Sequence, residues 1–154
     1  PQTVTVVLNT ENQAVYDLMS HRKIDTISKD QQQIVTLDLK PAWGTILAIY
    51  PQEIASVNLA LPRKLEAGEK SQIVITIASQ DGTPIPGIQP LAVSILEPDG
   101  KKNEYSGYFA ANNGQCQMNF VPASNDLPGK WSVSVTELSS GKTVAKEMLY
   151  SLGK

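Results

Sequence analysis

The feature that most constrains this chain is a period of two. Trp131, Val133 and Val135 alternate with Lys130, Ser132, Ser134 and Thr136. In an extended segment that spacing puts the apolar side chains on one face and the polar ones on the other, the pattern of a half-buried strand. Pro128-Gly129 opens the segment and Ser139-Ser140-Gly141-Lys142 closes it. Trp131 is the largest side chain in this half, so neighbouring strands are expected to pack around it. The alternation recurs in Ile73, Ile75 and Ile77, in Leu91, Val93 and Ile95, and in Cys116, Met118 and Phe120. No run of ten residues carries a helical stripe.

Turn signals separate these segments. They are the 62–70 bend with Gly68 at its corner, the 81–87 loop, Glu97-Pro98-Asp99-Gly100-Lys101, Asn112-Asn113-Gly114 and the 123–129 stretch. Pro, Gly, Asn and Asp supply the backbone geometry of turns. Seven strands at a spacing of roughly 8–12 residues predict an all-β fold, a β-sandwich over 53–154. One strand is expected over Asn103 to Ala110, directly after the 97–101 turn.

Residues 1–52 predict a small β-subdomain in front of the sandwich. Thr3 to Leu8, Ala14 to Leu18, Ile34 to Leu39 and Thr45 to Tyr50 read as strands. The polar stretch from Ser20 to Gln33 fits either a helical turn or a long hairpin arm. The nearly continuous apolar run ending at Tyr50 predicts a strand covered on both faces. A unit of about 50 residues buries too little surface to stand alone. It is expected to pack on the sandwich, or to be the trailing part of a larger β-domain. The chain begins at Pro1 directly in strand-like sequence, as expected of a processed chain or of a piece of a longer polypeptide.

Leu61-Pro62, Ala67-Gly68-Glu69, Asp81-Gly82-Thr83-Pro84-Ile85-Pro86-Gly87, Pro98-Asp99-Gly100-Lys101, the 125–131 stretch into Trp131 and Leu138-Ser139-Ser140-Gly141-Lys142 together resemble a family of bacterial immunoglobulin-like modules. These are the C-terminal modules of large glycoside hydrolases of the β-galactosidase type, and more loosely macroglobulin-like domains. Val15-Tyr16-Asp17-Leu18 and Tyr50-Pro51 resemble closing strands of the β-domain that precedes such modules. The resemblance implies a non-catalytic accessory piece of an exported bacterial multidomain protein, secreted, periplasmic or at the cell surface; the alternatives are a carbohydrate-binding module and a macroglobulin-like or adhesin-type surface module. Its partners would be other domains of the parent protein, a protein partner or a carbohydrate. The family's catalytic carboxylates lie in other domains, so no catalytic residue carries over.

The residues themselves offer little chemistry. His21 is the only histidine and Cys116 the only cysteine, too few for a Ser-His-Asp triad or a closed zinc site and unable to form an intrachain disulfide. No metal site and no cofactor is expected. Asp81, Asp99, Asn125 and Asp126 are oxygen ligands of the kind calcium takes, but turn formation explains them equally well. A net charge of -2 with scattered lysines and arginines gives no footprint for nucleic acid. No apolar run approaches the roughly 20 residues of a membrane-spanning helix. Sugar binding needs exposed aromatic rings, for which Trp43, Tyr105 and Tyr108 are the candidates, with Tyr50 behind them. Tyr105 and Tyr108 stand three apart, so one of the two is expected to face solvent.

Overall fold

The structure, a computed structural model, describes residues 2–152. It contains fourteen strands and no helix among the described residues. The first six are β1 (Gln2–Leu8), β2 (Ala14–Asp17), β3 (Arg22–Ile24), β4 (Thr26–Lys29), β5 (Gln32–Leu39) and β6 (Leu47–Tyr50). The other eight are β7 (Ser56–Ala60), β8 (Lys64–Glu66), β9 (Ser71–Ala78), β10 (Ile88–Leu96), β11 (Gly107–Asn112), β12 (Gln115–Phe120), β13 (Gly129–Glu137) and β14 (Thr143–Ser151).

The last eight make the predicted immunoglobulin-like sandwich. One layer runs β7-β9-β12 and the other β11-β10-β13-β14-β8. They meet at a corner where β11 and β12 pair only at Asn112↔Gln115. The corner is a two-residue turn: Asn113 and Gly114 both have positive φ, 49° and 74°, as a tight primed hairpin turn demands. A Cβ on Gly114 would stand 2.6 Å from the Ile85 nitrogen and 2.7 Å from the Ile77 oxygen, so only glycine fits. Gln89, fully buried, ties this turn to the preceding loop. Its Oε1 accepts the Gly114 N–H at 3.0 Å, and its Nε2 donates to the Ile85 and Pro86 carbonyls at 3.3 and 3.2 Å.

Ile73, Ile75, Ile77, Leu91, Ile95, Phe120, Trp131, Val133 and Val135 are all 0% exposed, so period two located the core. Trp131 sits at its centre. Its indole N–H donates to the Leu127 carbonyl at 2.9 Å, and edge-on aromatic contacts run from Tyr105 through Phe120 and Trp131 to Tyr150.

Three expectations need correction. The sandwich has eight strands rather than seven, because the 62–70 bend contains β8, which pairs parallel with β14 through Leu65↔Tyr150. Three residues are too few for a visible alternation. The strand after the 97–101 turn begins at Gly107, not Asn103. Asn103 donates its backbone N–H to Ile95 and its amide to Glu97, and Ser106 caps the Ile95 backbone, so side-chain bonds hold 103–106 as a turn. The 45–50 strand is not covered on both faces: Ile46 is 60% and Ile49 41% exposed, because β6 is an edge strand.

The first six strands form two small sheets, β1-β5-β4 and β3-β2-β6. The polar 20–33 stretch is a hairpin arm rather than a helical turn. It changes sheet at Asp25, between β3 and β4. Val15 and Val35 are fully buried but lie outside the main hydrophobic cluster, while Ala14, Tyr16 and Tyr50 belong to it. Successive residues of β2 therefore serve two cores, Val15 that of the small unit and its neighbours that of the sandwich.

Candidate functional site

The densest polar chemistry lies at the joint between the two units. The Tyr16 Oη accepts the Ile54 N–H at 2.8 Å. Burial pushes the Tyr16 phenol up to about 12; the Ile54 bond opposes the rise, and the carboxylates of Glu53 and Glu137 add to it. The Tyr50 hydroxyl donates to the Ile88 carbonyl at 3.0 Å and shares a 2.9 Å hydrogen bond with Ser139 Oγ. Burial raises its pKa as well, against the pull of Ser139. The two rings lie 5.8 Å apart, tilted.

On the sandwich side the joint rests on Glu137, which is 0% exposed. Its Oε1 accepts the Ser139 N–H at 2.9 Å; its Oε2 accepts the Ser140 N–H at 2.7 Å and the Ser140 hydroxyl at 2.6 Å. These bonds fix the β13–β14 turn that receives the small unit. His21 Nδ1 is hydrogen-bonded to the Leu138 carbonyl, so Nδ1 carries the proton. A Cβ on Gly141, whose φ is +71°, would stand 2.9 Å from the His21 oxygen, so the turn glycine admits the histidine backbone. His21 is thus exposed, as a loop histidine should be, but engaged.

Beside the joint an open cleft of ≈ 530 Å³ is lined by Gln52, Glu53, Ser79, Asp81 and Lys142 among others. Asp81 is committed within its own loop. It accepts the Ser79 hydroxyl, the Thr83 hydroxyl at 2.8 Å and the Thr83 N–H at 3.1 Å, and these bonds lower its carboxyl to about 2. Glu53 is paired with Lys23. The cleft offers charges for a polar solute, and the bonds on Asp81 work against its carrying a proton to donate. Elsewhere Asp99 accepts the Lys101 N–H at 2.9 Å and Asp126 the Ala123 N–H at 2.8 Å. Among the described residues no three His, Cys, Asp or Glu side chains converge as a metal site would require. Cys116 is buried, and burial raises its thiol, which works against thiolate chemistry.

The three aromatic candidates are not brought together. Trp43, 65% exposed, stands on the β5–β6 loop of the small unit with Lys40 Nζ 5.7 Å from its ring centre. Tyr108, 83% exposed, stands on β11 of the sandwich. Tyr105 is half-buried, 4.8 Å from Phe120 edge-on, with its hydroxyl toward the Val121 carbonyl at 3.4 Å. Of the odd-spaced pair, Tyr108 is the one facing solvent, and Tyr105 plugs the core. Tyr50 is a joint residue. Sequence reasoning missed Tyr16 and Glu137, since a strand tyrosine and a strand-end glutamate look alike whether exposed or buried.

No protein-family model matches the chain, and no curated protein matches it. Some solved structures are similar to it over part or nearly all of its length. A superoxide reductase (neelaredoxin) from Ignicoccus hospitalis is similar over 64% of this chain and 82% of its own, at 14% identity and a TM-score of 0.48. The Lin-41 filamin domain is similar over 63% of this chain and 93% of its own, at 16% identity and a TM-score of 0.43. The Yersinia pseudotuberculosis adhesin InvE is similar over 98% of this chain and 55% of its own, at 11% identity and a TM-score of 0.48. At these scores the likeness bears on neither activity nor partner.

Proposed function

We propose that this chain is a non-catalytic structural or interaction module in which two β-units are joined rigidly. The observation that carries the reading is the joint itself. Tyr16, Tyr50, His21 and Glu137, the groups that in another setting would do acid–base work, all bond backbone or turn atoms across or beneath it. A joint made of buried, directional hydrogen bonds holds an angle, which suits a part that spaces or presents other parts. Residual dipolar couplings measured on both units test this. One alignment tensor should fit β2 and β13 together; two independent tensors would contradict it.

In its finer form the reading is an accessory module of an exported bacterial multidomain protein, such as a glycoside hydrolase. Support for that comes from the turn motifs of 61–142 and their resemblance to such modules. Carbohydrate binding is the second reading, favoured by the exposure of Trp43 and Tyr108. It is the weaker one, because a sugar platform needs rings side by side. A panel of immobilised polysaccharides separates the two. No retention is expected; specific retention lost in Trp43→Ala or Tyr108→Ala would favour the second.

A further inference from the structure

Asn113-Gly114 is the one Asn-Gly pair in the sequence, and it forms the two-residue β11–β12 corner. Such a pair has a chemistry of its own. A glycine nitrogen, with no Cβ beside it to hinder approach, can attack the amide carbon of the asparagine side chain before it. The new C–N bond closes a five-membered succinimide. The glycine nitrogen gives up its proton, and the side-chain amide leaves as ammonia. Water then opens the ring at either carbonyl. The product is aspartate or, with the chain rerouted through the β-carbon, isoaspartate. This is one reason asparagine counts as thermolabile. Both reacting groups are tied down in the folded chain. The Gly114 N–H donates to Gln89 Oε1 at 3.0 Å, and Gln89 is 0% exposed, so the nitrogen keeps its proton. The Asn113 Oδ1 accepts the Gly87 N–H at 3.1 Å. The Asn113 N–H donates to the Gly87 carbonyl at 2.7 Å, and the Gly114 carbonyl accepts the Ile77 N–H at 2.8 Å. Asn113 itself is exposed to water.

We propose that Asn113 is a deamidation site gated by the fold: closed in the intact corner, and reactive once Gly114 is released from Gln89. The two products differ in what they do to the corner. Aspartate keeps an oxygen for the Gly87 N–H and leaves the backbone unchanged, so the corner re-forms. Isoaspartate adds a methylene to the backbone of a turn where even a Cβ on Gly114 would stand 2.6 Å from the Ile85 nitrogen. That chain cannot close the corner again. The site therefore turns a transient opening of the sandwich into a permanent change. This goes beyond the structural reading of the chain and does not rest on the joint.

Peptide mapping by mass spectrometry reads aspartate and isoaspartate at position 113. The full chain is incubated in mildly alkaline buffer, with and without denaturing guanidinium. Conversion should be at least about tenfold slower in buffer than in denaturant. In a guanidinium series kept below the unfolding transition, conversion should rise in parallel with hydrogen exchange of the Gly114 amide. Gln89→Met, which removes the acceptor at similar size, should raise both in buffer. The guanidinium series needs no variant, so it decides even if Gln89→Met does not fold. After return to buffer, Asn113→Asp should protect the Gly114 amide and the isoaspartate fraction should not. No conversion at 113 in denaturant, equal rates with and without it, or conversion indifferent to Gly114 exchange would overturn the proposal. So would a folded Gln89→Met that changes neither rate, or an isoaspartate fraction as protected as Asn113→Asp. None of these failures touches the rigid-joint reading, which the dipolar couplings test separately.

Discussion

Glu137 and Tyr16 are buried groups whose hydrogen bonds hold backbone atoms at the joint. Glu137 accepts hydrogen bonds from three donors. Removing them as a set is costly: Glu137→Ala leaves two backbone N–H groups without an acceptor and should cost about 2–4 kcal/mol in urea unfolding. Glu137→Gln keeps one acceptor and should cost less. Tyr16 is held in its neutral form. Its folded pKa, about 12, lies above the ordinary value of 10. The stability this contributes is fully present below pH 10 and is lost as pH rises toward 12. Tyr16→Phe should cost about 1–2 kcal/mol at neutral pH, since the Ile54 N–H loses its acceptor. It should also flatten the alkaline loss, leaving the part owed to Tyr50 and Tyr150, both raised by burial.

Among the elements, the sandwich strands were legible because each buries one face. Alternation over eight or nine residues, as in β9, β10 and β13, admits one register. The short elements were not. β8 has too few residues for a pattern, and the 103–106 turn is held by side-chain bonds that a spacing does not show. The Asn113-Gly114 corner was legible as a turn, but its tightness is a fact of packing. Gly114→Ala should cost about 3 kcal/mol or more, combining a positive φ with a backbone clash. Gly44→Ala, where a Cβ meets nothing within 4 Å, should change stability by less than about 0.5 kcal/mol. Thermal unfolding of the two variants gives the contrast.

For the whole molecule, the sequence told that a unit of about 50 residues needed a neighbour, and not which residues would make the contact. Trp43, Tyr105 and Tyr108 stood out because aromatic rings are conspicuous. The contact fell instead to Tyr16, Tyr50 and a turn built on a buried glutamate, where burial and not residue type assigns the role. With that joint in place, the small unit cannot open without the sandwich. Native-state hydrogen exchange in rising denaturant tests this most directly. The β2 amides of Val15 and Tyr16 should exchange through the same global opening as those of Val133 and Val135 in β13, with Tyr50→Phe lowering both. A separate, cheaper opening of β2, unchanged by Tyr50→Phe, would contradict the account.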